Sequence, residues 1–312
     1  MTAHTSISPL SRPPDIANPD RARPLVLAAE SVALRSPWAL AWTRLRRNQL
    51  ALIGLLVVIG WIGLAIGADA IAPYSVSQFN FADFEQDASR AHLLGTDFLG
   101  RDLFSLILYG SRVSVAVAVV VPLIIVVVGV TVGVLAGYAG GWVDNVLMRF
   151  TDAIFAFPSF LFMVLIISTF GRNLWTIFLA LGVSAWPTMA RMVRAEVLQI
   201  KHTEYIASAR AIGAKPHHII LTHFIPNLVG PVMVTAAMSI PAAVASEAFL
   251  TFLGIGVEPS TPSWGMIIND AQTSIFWHPT LILFPALAIS SLTLAFSFLG
   301  DGLRDALDPR LS

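Results

Sequence analysis

Six long stretches without a charged residue divide this chain of 312 residues. A helix needs about 20 residues to cross ~30 Å of hydrocarbon, and each stretch is long enough to do so. Only 12% of the residues are charged and the mean hydropathy is +0.74, whereas soluble domains carry about 25% charged residues. The sequence therefore predicts an all-α membrane protein with six transmembrane helices. Each helix is predicted between two charged residues, at positions 47/69, 112/144, 152/172, 172/191, 215/247 and 270/301.

Lysine and arginine are unevenly divided between the two sides that these spans create. Seven arginines precede the first span. The segment between the fourth and fifth spans adds Arg191, Arg194, Lys201, Arg210 and Lys215. Loops on the cytoplasmic side of a membrane carry the excess of these residues. Both termini and the segment after the fourth span are therefore predicted to be cytoplasmic.

The spans divide the chain into five segments. Residues 1–35 are rich in Pro, Ser, Ala and Arg and lack an apolar period, which predicts a disordered cytoplasmic tail. Residues 36–72 are predicted to hold an interfacial helix with Trp38 and Trp42, followed by the first span. The remaining segments are an extracytoplasmic loop at 73–110, a five-helix core at 111–300 with a cytoplasmic loop at 196–223, and a cytoplasmic C-terminus at 301–312.

A half-polar segment, residues 203–226 and hereafter the hairpin, interrupts the apolar pattern inside that core. Thr203 is a predicted N-cap, because its hydroxyl can accept a free backbone N–H of the first helical turn. Gly213 can take the left-handed conformation that ends a helix, and Pro216 can open a second short helix. The sequence therefore predicts two short helices joined by a glycine turn.

The first of these short helices has a surface suited to a protein partner. Tyr205, Ala209 and Ile212 fall at i, i+4 and i+7 and give a narrow apolar face. Small residues at positions 207, 208, 209 and 211 make a smooth surface, as suits insertion into a groove. The alternative is an ordinary loop whose small residues pack against the spans. We favour docking on a soluble partner.

The hairpin also resembles a known motif. Ala207-Ser208-Ala209, then Gly213, then His223-Phe224-Ile225-Pro226 is similar to the cytoplasmic loop signature of binding-protein-dependent ABC importer permeases. The family usually has glutamate where this chain has Ala207, and isoleucine where it has His223. The resemblance implies that the hairpin couples the permease to an ATPase through Glu204, Tyr205, Ala207, Ser208, Ala209, Arg210, Ile212, Gly213 and Ala214.

Further stretches resemble the second permease subunit of dipeptide, oligopeptide and nickel importers. They are residues 92–102 with 109–112, residues 139–144, residues 252–257 with 262–265, and residues 299–309. They occur in order and extend the likeness over roughly residues 40 to 312. The resemblance implies the six-helix type I ABC importer permease fold and a place in the bacterial plasma (inner) membrane.

The same resemblance implies what the chain works with. Expected partners are a second homologous permease, two ABC ATPase subunits, an extracytoplasmic substrate-binding protein and the lipid bilayer, with no nucleic acid. No cofactor is expected on this chain, since ATP and Mg would bind the ATPase subunits. Peptides are the expected cargo. Nickel, glutathione or another small peptide-like solute are alternatives, as is a stand-alone carrier.

The residue chemistry argues against an enzyme. A phosphate-binding P-loop needs a lysine in a glycine frame, and the chain's two lysines, Lys201 and Lys215, lie in no such frame. It has no cysteine and no hydrolase or zinc-protease motif. We interpret His217, His218 and His223 as a solvated basic face rather than a metal site. A membrane-embedded enzyme is the rival class, and a reaction product would reveal it.

Few ionisable residues lie within the spans, which fits a secondary carrier poorly. Asp152 is predicted to be a helix cap or an interfacial ion-pair partner. Glu247, near the outer end of the fifth span, has two open interpretations: contact with a substrate ammonium or partner arginine, or a structural pairing. The spacing of Gly129, Gly133 and Gly137 predicts close helix packing in the second span.

Overall fold

The computed structural model describes residues 42–76 and 80–307, and its regular structure in these ranges is helical except for one isolated bridge between Thr96 and Asp102. The predicted tail, Trp38 and the last five residues lie outside the described ranges. The main α-helices are α1 (Gln49–Ile71), α2 (Leu103–Ala139), α3 (Gly141–Ala156), α4 (Ser159–Phe170), α5 (Leu174–Lys201), α6 (Glu204–Ala211), α7 (Pro216–Ile219), α8 (Ile225–Phe252), α9 (Trp264–Asp270) and α10 (Thr280–Leu307).

Five of the six predicted spans are single helices. A π-helical segment, Ile220–Phe224, joins α7 to α8, so that one helix runs over Pro216–Phe252. This helix, together with α1, α2, α5 and α10, is long and apolar enough to cross a membrane. The predicted fold class, an all-α membrane protein, is therefore confirmed.

The third predicted span is not one helix but two, α3 and α4, which meet at 90°. The break follows from Pro158, because a proline disfavours the helical conformation at the residue before it. Phe157 is accordingly extended, with ψ 133°. The 12 residues of α4 rise only about 18 Å, so α4 alone is too short, and the sixth crossing requires the bent pair.

Three predicted boundaries are wrong because charged residues lie inside helices. Helix α2 begins at Leu103, within the predicted loop 73–110, and α10 continues through Leu307, beyond the predicted core. Helix α5 extends to Lys201, so the predicted loop 196–223 begins as helix. Arg112 illustrates the cause: its guanidinium donates to Asp69 at 2.8 Å and to the Ala65 carbonyl at 2.9 Å, and these contacts with α1 accommodate the charge.

Helices α2 and α5 form the closest-packed pair in the core. A methyl group added at Gly129 would lie 2.6 Å from the Met189 Cβ, and one at Gly137 would lie 2.8 Å from Val197. Gly133 faces α5 in the same way. Such contacts are shorter than carbon atoms allow, so only glycine permits this approach. The four-residue spacing of the glycines predicts this packing.

The end of the bundle opposite the hairpin, hereafter the distal end, is closed by residues 72–76, 80–102 and 253–279. Arg101 Nε lies 2.6 Å from Asp97 and its Nη2 lies 2.9 Å from Asp270. Trp264, fully buried, donates its indole N–H to the Ile107 carbonyl at 3.0 Å. These contacts join both distal segments to the first turns of α2.

Candidate functional site

The glycine turn of the hairpin has the predicted geometry. Gly213 has φ +82°, a left-handed value that favours glycine. Its N–H donates to the Arg210 carbonyl at 3.0 Å, and the Ala214 N–H donates to the Ala209 carbonyl at 3.1 Å. These two bonds are those of a Schellman motif, which ends α6. Pro216 is the first residue of α7, so that both predicted short helices are present.

The predicted side-chain cap at Thr203 is not formed. Thr203 is the N-cap of α6, but its hydroxyl does not accept a backbone N–H. It donates instead to the Ile200 carbonyl at 2.7 Å. The same carbonyl accepts the Thr203 backbone N–H at 3.1 Å, just beyond the last residue of α5, where helix carbonyls need such partners. The hydroxyl therefore completes the end of α5 rather than the start of α6.

The apolar face predicted for α6 points away from the protein. Tyr205 is 45% exposed and Ile212 is 86% exposed, whereas Ile206 is completely buried. A single isoleucine therefore anchors α6. Of the residues expected to couple the chain to an ATPase, Ala209 and Ala214 are half-buried and the others are exposed, namely Glu204, Tyr205, Ala207, Ser208, Arg210, Ile212 and Gly213.

The hairpin rests on the end of α2. The Tyr138 ring packs edge-on against the buried Phe224 ring, with 5.8 Å between the ring centroids. The Arg210 guanidinium lies 5.9 Å from the centroid of the Tyr138 ring. Lys201 Nζ donates to the Tyr138 carbonyl at 2.7 Å and the Gly137 carbonyl at 3.2 Å, which places a cation at a helix C-terminus, where it is favourable. Sequence reasoning missed Tyr138 and Ile206, because nothing local links residue 138 to residue 210.

Ion pairs beside the hairpin join α3 to α5. Arg194 donates to both carboxylate oxygens of Asp144 at 2.6 Å, and Arg191 donates to Asp152 at 2.7 Å. A two-pronged arginine–carboxylate contact fixes orientation as well as distance. The Asp152 contact supports the interpretation of this residue as an ion-pair partner.

The hairpin histidines do not converge. The His223 ring lies 5.7 Å from the Tyr205 ring, and His218 Nδ1 lies 3.4 Å from the Thr222 hydroxyl. Within residues 42–76 and 80–307, no group of three or more His, Asp or Glu side chains is placed to hold a metal ion.

A cavity of about 400 Å³ lies among α2, α4, α5 and α8. Ser246 lines it, but the adjacent Glu247 does not. Glu247 is fully buried, and its Oε1 accepts the Thr251 hydroxyl at 3.0 Å, while Oε2 has no partner among the described residues. Glu247 is therefore not part of the cavity lining, and its bond to Thr251 favours the structural interpretation over contact with a substrate.

Five helices of membrane length, a cavity among α2, α4, α5 and α8 and an exposed hairpin at one end are typical of a membrane transport subunit. Residues 129–312 match the family described as binding-protein-dependent transport system inner membrane component, and residues 36–93 match the N-terminal TM domain of oligopeptide transport permease C. The chain belongs to the binding-protein-dependent transport inner membrane component family.

Relatives of similar length are named as permease proteins of transport systems. The chain is 41% identical over 279 residues to the glutathione transport system permease protein GsiD of Shigella flexneri serotype 5b (strain 8401), covering 89% of this chain and 92% of that protein. It is 36% identical over 285 residues to the oligopeptide transport system permease protein OppC of Bacillus subtilis (strain 168), covering 91% and 93%. Both likenesses extend over nearly the whole chain.

Solved structures support the same fold. An inward-facing conformation of the MetNI methionine ABC transporter matches with a TM-score of 0.56 and 22% identity, over 66% of this chain and 98% of the matched chain. A second crystal form of that transporter matches with a TM-score of 0.54. The predicted type I ABC importer permease fold is therefore confirmed, and the chain is a permease subunit of an ABC importer.

Proposed function

We propose that this chain forms one half of the translocation pathway of an ATP-driven importer of peptides, glutathione included. The exposed hairpin carries the proposal, because it presents a helix with uncovered apolar residues outside the bundle. Ile212, which directly follows the last residue of α6, is 86% exposed, and a short helix that ends at such a residue fits a hydrophobic groove on a partner. The partner is an ABC ATPase, which binds ATP and Mg.

The proposed complex has a second homologous permease, two ATPase subunits and an extracytoplasmic binding protein. The hairpin and both termini face the cytoplasm of a bacterial inner membrane, in keeping with the basic residues around the hairpin. The distal end then faces outward and meets the binding protein. Relatives named for glutathione and oligopeptide transport support a peptide cargo, and the binding protein makes the main selection.

The contacts of the hairpin suggest how ATP binding moves the pathway. A push on α6 acts on the Tyr138 end of α2 through Arg210 and Phe224. Helix α2 is locked to α5 along its glycines, so the two helices move together. Both line the cavity, and their displacement changes the side on which it opens. This coupling requires that ATP-bound and free ATPase subunits hold α6 in different positions.

Purification of the importer tests this proposal. A tagged copy, extracted in mild detergent and analysed by mass spectrometry, is expected to bring a second permease and ATPase subunits. Ile212→Glu is expected to lose the ATPases but keep the second permease. Leu93→Glu makes the same change at a 57% exposed residue of the distal end and is expected to keep the ATPases.

Two outcomes would contradict the proposal. Recovery of a folded chain alone would favour a stand-alone carrier. Equal ATPase recovery with Ile212→Glu and Leu93→Glu would remove the docking role of α6. A co-purified binding protein, screened with tripeptides, glutathione and nickel, would decide the cargo.

A further inference from the structure

The polar groups that line the cavity among α2, α4, α5 and α8 are all neutral. They are the hydroxyls of three residues on α8, two on α5 and one at the start of α4, namely Thr235, Ser239, Ser246, Ser184, Thr188 and Ser159. Met163, Met189 and Met238 contribute thioethers, and the remaining described lining residues are aliphatic. The described lining contains no charged side chain.

Four of these hydroxyls form no hydrogen bond to the described part of the protein, and one of the four, Ser159, is the first residue of α4 and has no preceding helical turn to bond to. Serine and threonine in helices bond back to a carbonyl of the preceding turn, as Thr131 does to Val127 at 2.6 Å. In the cavity, Ser184 and Ser239 bond back in this way at 2.9 and 2.7 Å. Ser159, Thr188, Thr235 and Ser246 form no side-chain hydrogen bond to any residue within the described ranges.

The cavity hydroxyls on α5 and α8 are positioned by helix periodicity. Thr235, Ser239 and Ser246 fall at i, i+4 and i+11 on α8, and therefore lie on one face. Ser184 and Thr188 fall at i and i+4 on α5. All five line one cavity, so the two rows border the same space. Ser159 and Thr188 are exposed and Thr235 and Ser246 are half-buried, so their hydroxyls are free to bond to a molecule that enters the cavity.

The chemistry of the lining defines what enters. A hydroxyl donates one hydrogen bond and accepts others, so it can pair with a peptide N–H, carbonyl, carboxylate or ammonium group. Thioethers adapt to apolar side chains of different shapes. A fixed charge in the lining would instead discriminate between solutes by their net charge.

We propose that Ser159, Thr188, Thr235 and Ser246 contact the transported solute, and that they pass peptide-like solutes without selection by charge. The solute class rests on the proposed function. Hydrogen bonds from neutral groups then hold amide-rich molecules during passage, and the same groups serve cationic and anionic peptides.

Cysteine labelling tests the contact surface without knowledge of the cargo. The chain has no cysteine, so Thr188→Cys, Thr235→Cys and Ser246→Cys each give one thiol without further changes to this chain. In the assembled importer, a water-soluble methanethiosulfonate reagent is expected to label these thiols at least tenfold faster than Thr131→Cys, whose native hydroxyl is exposed on α2 and bonded back to Val127. Equal rates at all four positions would overturn the proposal.

Transport assays test the absence of charge selection. Proteoliposomes with the full importer and its binding protein are supplied with Lys-Ala-Ala or Glu-Ala-Ala at saturating concentration. We expect Thr235→Val, which keeps side-chain volume, to lower the maximal uptake rate of both peptides severalfold. Thr235→Asp is expected to raise the Lys-Ala-Ala to Glu-Ala-Ala rate ratio at least tenfold over wild type, while Thr131→Val leaves both rates unchanged.

The outcomes separate the two proposals. If Thr235→Val transports both peptides as wild type does and Thr235→Asp leaves the ratio unchanged, the hydroxyls do not contact the solute. If the wild-type importer moves neither peptide, the peptide cargo is wrong. Labelling still decides whether these hydroxyls face an aqueous pathway, because it needs no substrate.

Discussion

The two ends of the bundle are built in opposite ways. At the distal end, the side chains of Asp97 and Arg101 are buried and pair with each other, and Arg101 also reaches Asp270. At the hairpin end, one buried residue, Ile206, anchors α6, while Ile212 is exposed. The distal end is held by buried ion pairs, although Phe276 and Trp277 there are 90% and 82% exposed, whereas α6 has no buried ion pair among the described residues and one fully buried side chain.

This difference indicates where the chain depends on other subunits. The buried ion pairs of the distal end are costly to expose or break, so that end keeps its shape when a partner arrives and leaves. A short helix with few buried contacts opens locally at low free energy. The hairpin therefore suits an element that gains its final stability from an ATPase.

The largest effect is expected at Arg101. Arg101→Met leaves the carboxylates of Asp97 and Asp270 without their cation, and loss of one partner of a buried pair costs about 3–5 kcal/mol. Thermal unfolding in detergent, followed by tryptophan fluorescence, measures the loss. Arg112→Met is the matched control, because the Arg112–Asp69 pair is 40% and 74% exposed and such pairs contribute about 1 kcal/mol or less. Equal losses would show that the distal end is not the more tightly built one.

The second largest effect is expected at Ile206, the buried residue that anchors α6. Ile206→Ala removes a completely buried side chain, a change that costs about 2–5 kcal/mol in a packed core. Because α6 is a peripheral helix, the loss is expected as local opening. Hydrogen exchange of residues 204–214 in the isolated subunit should rise at least tenfold, while Ile212→Ala should leave it unchanged. Equal exchange in both variants would mean that Ile206 does not hold the hairpin.

A substitution in the glycine turn is expected to have a smaller effect on stability and a larger effect on the coupling of ATP hydrolysis to uptake. A Cβ at Gly213 meets no atom within 4 Å, so Gly213→Val costs only its left-handed conformation, about 1–2 kcal/mol. The complex should assemble, but ATP hydrolysis should no longer drive uptake. Gly230→Ala, at a helical glycine with the same open surroundings, is the control. Wild-type uptake per ATP in Gly213→Val would refute the role of the turn.

Local chemistry predicts some of these features and misses others. The turn at Gly213 and the glycine face of α2 follow from neighbouring residues, since backbone freedom and four-residue spacing are properties of the sequence itself. The sequence predicts α3 and α4 as one span although Pro158 lies between them, because the size of the bend at a proline depends on what packs against it. The Arg101–Asp270 contact joins residues 169 positions apart, and no periodicity reports such a distance.

The smallest effect is expected at Asp270, where a substitution tests whether the ion pair or the packing around it holds the distal end together. Burial raises the pKa of the Asp270 carboxyl above 3.8, although its hydrogen bond to Arg101 opposes the shift. Asp270→Asn removes the charge whose burial is unfavourable and keeps the shape of the side chain. It should therefore lower the free energy of unfolding by about 1 kcal/mol or less, a smaller loss than that expected for Arg101→Met. The carboxyl holds its proton to a higher pH in the folded protein than in the unfolded chain. Its contribution to stability is therefore fully present below pH 3.8 and is lost as pH rises through the folded pKa.

Thermal unfolding of wild type and Asp270→Asn, at a series of pH values from about 3.5 to about 7, measures that contribution as the difference between the two proteins. The wild type should lose stability relative to Asp270→Asn as pH rises through this range, and the difference should become constant once the carboxyl is fully ionised. A difference that instead grows in favour of the wild type with rising pH would mean that attraction to Arg101 outweighs burial. The ion pair, rather than the packing around it, would then be what holds the two distal segments together.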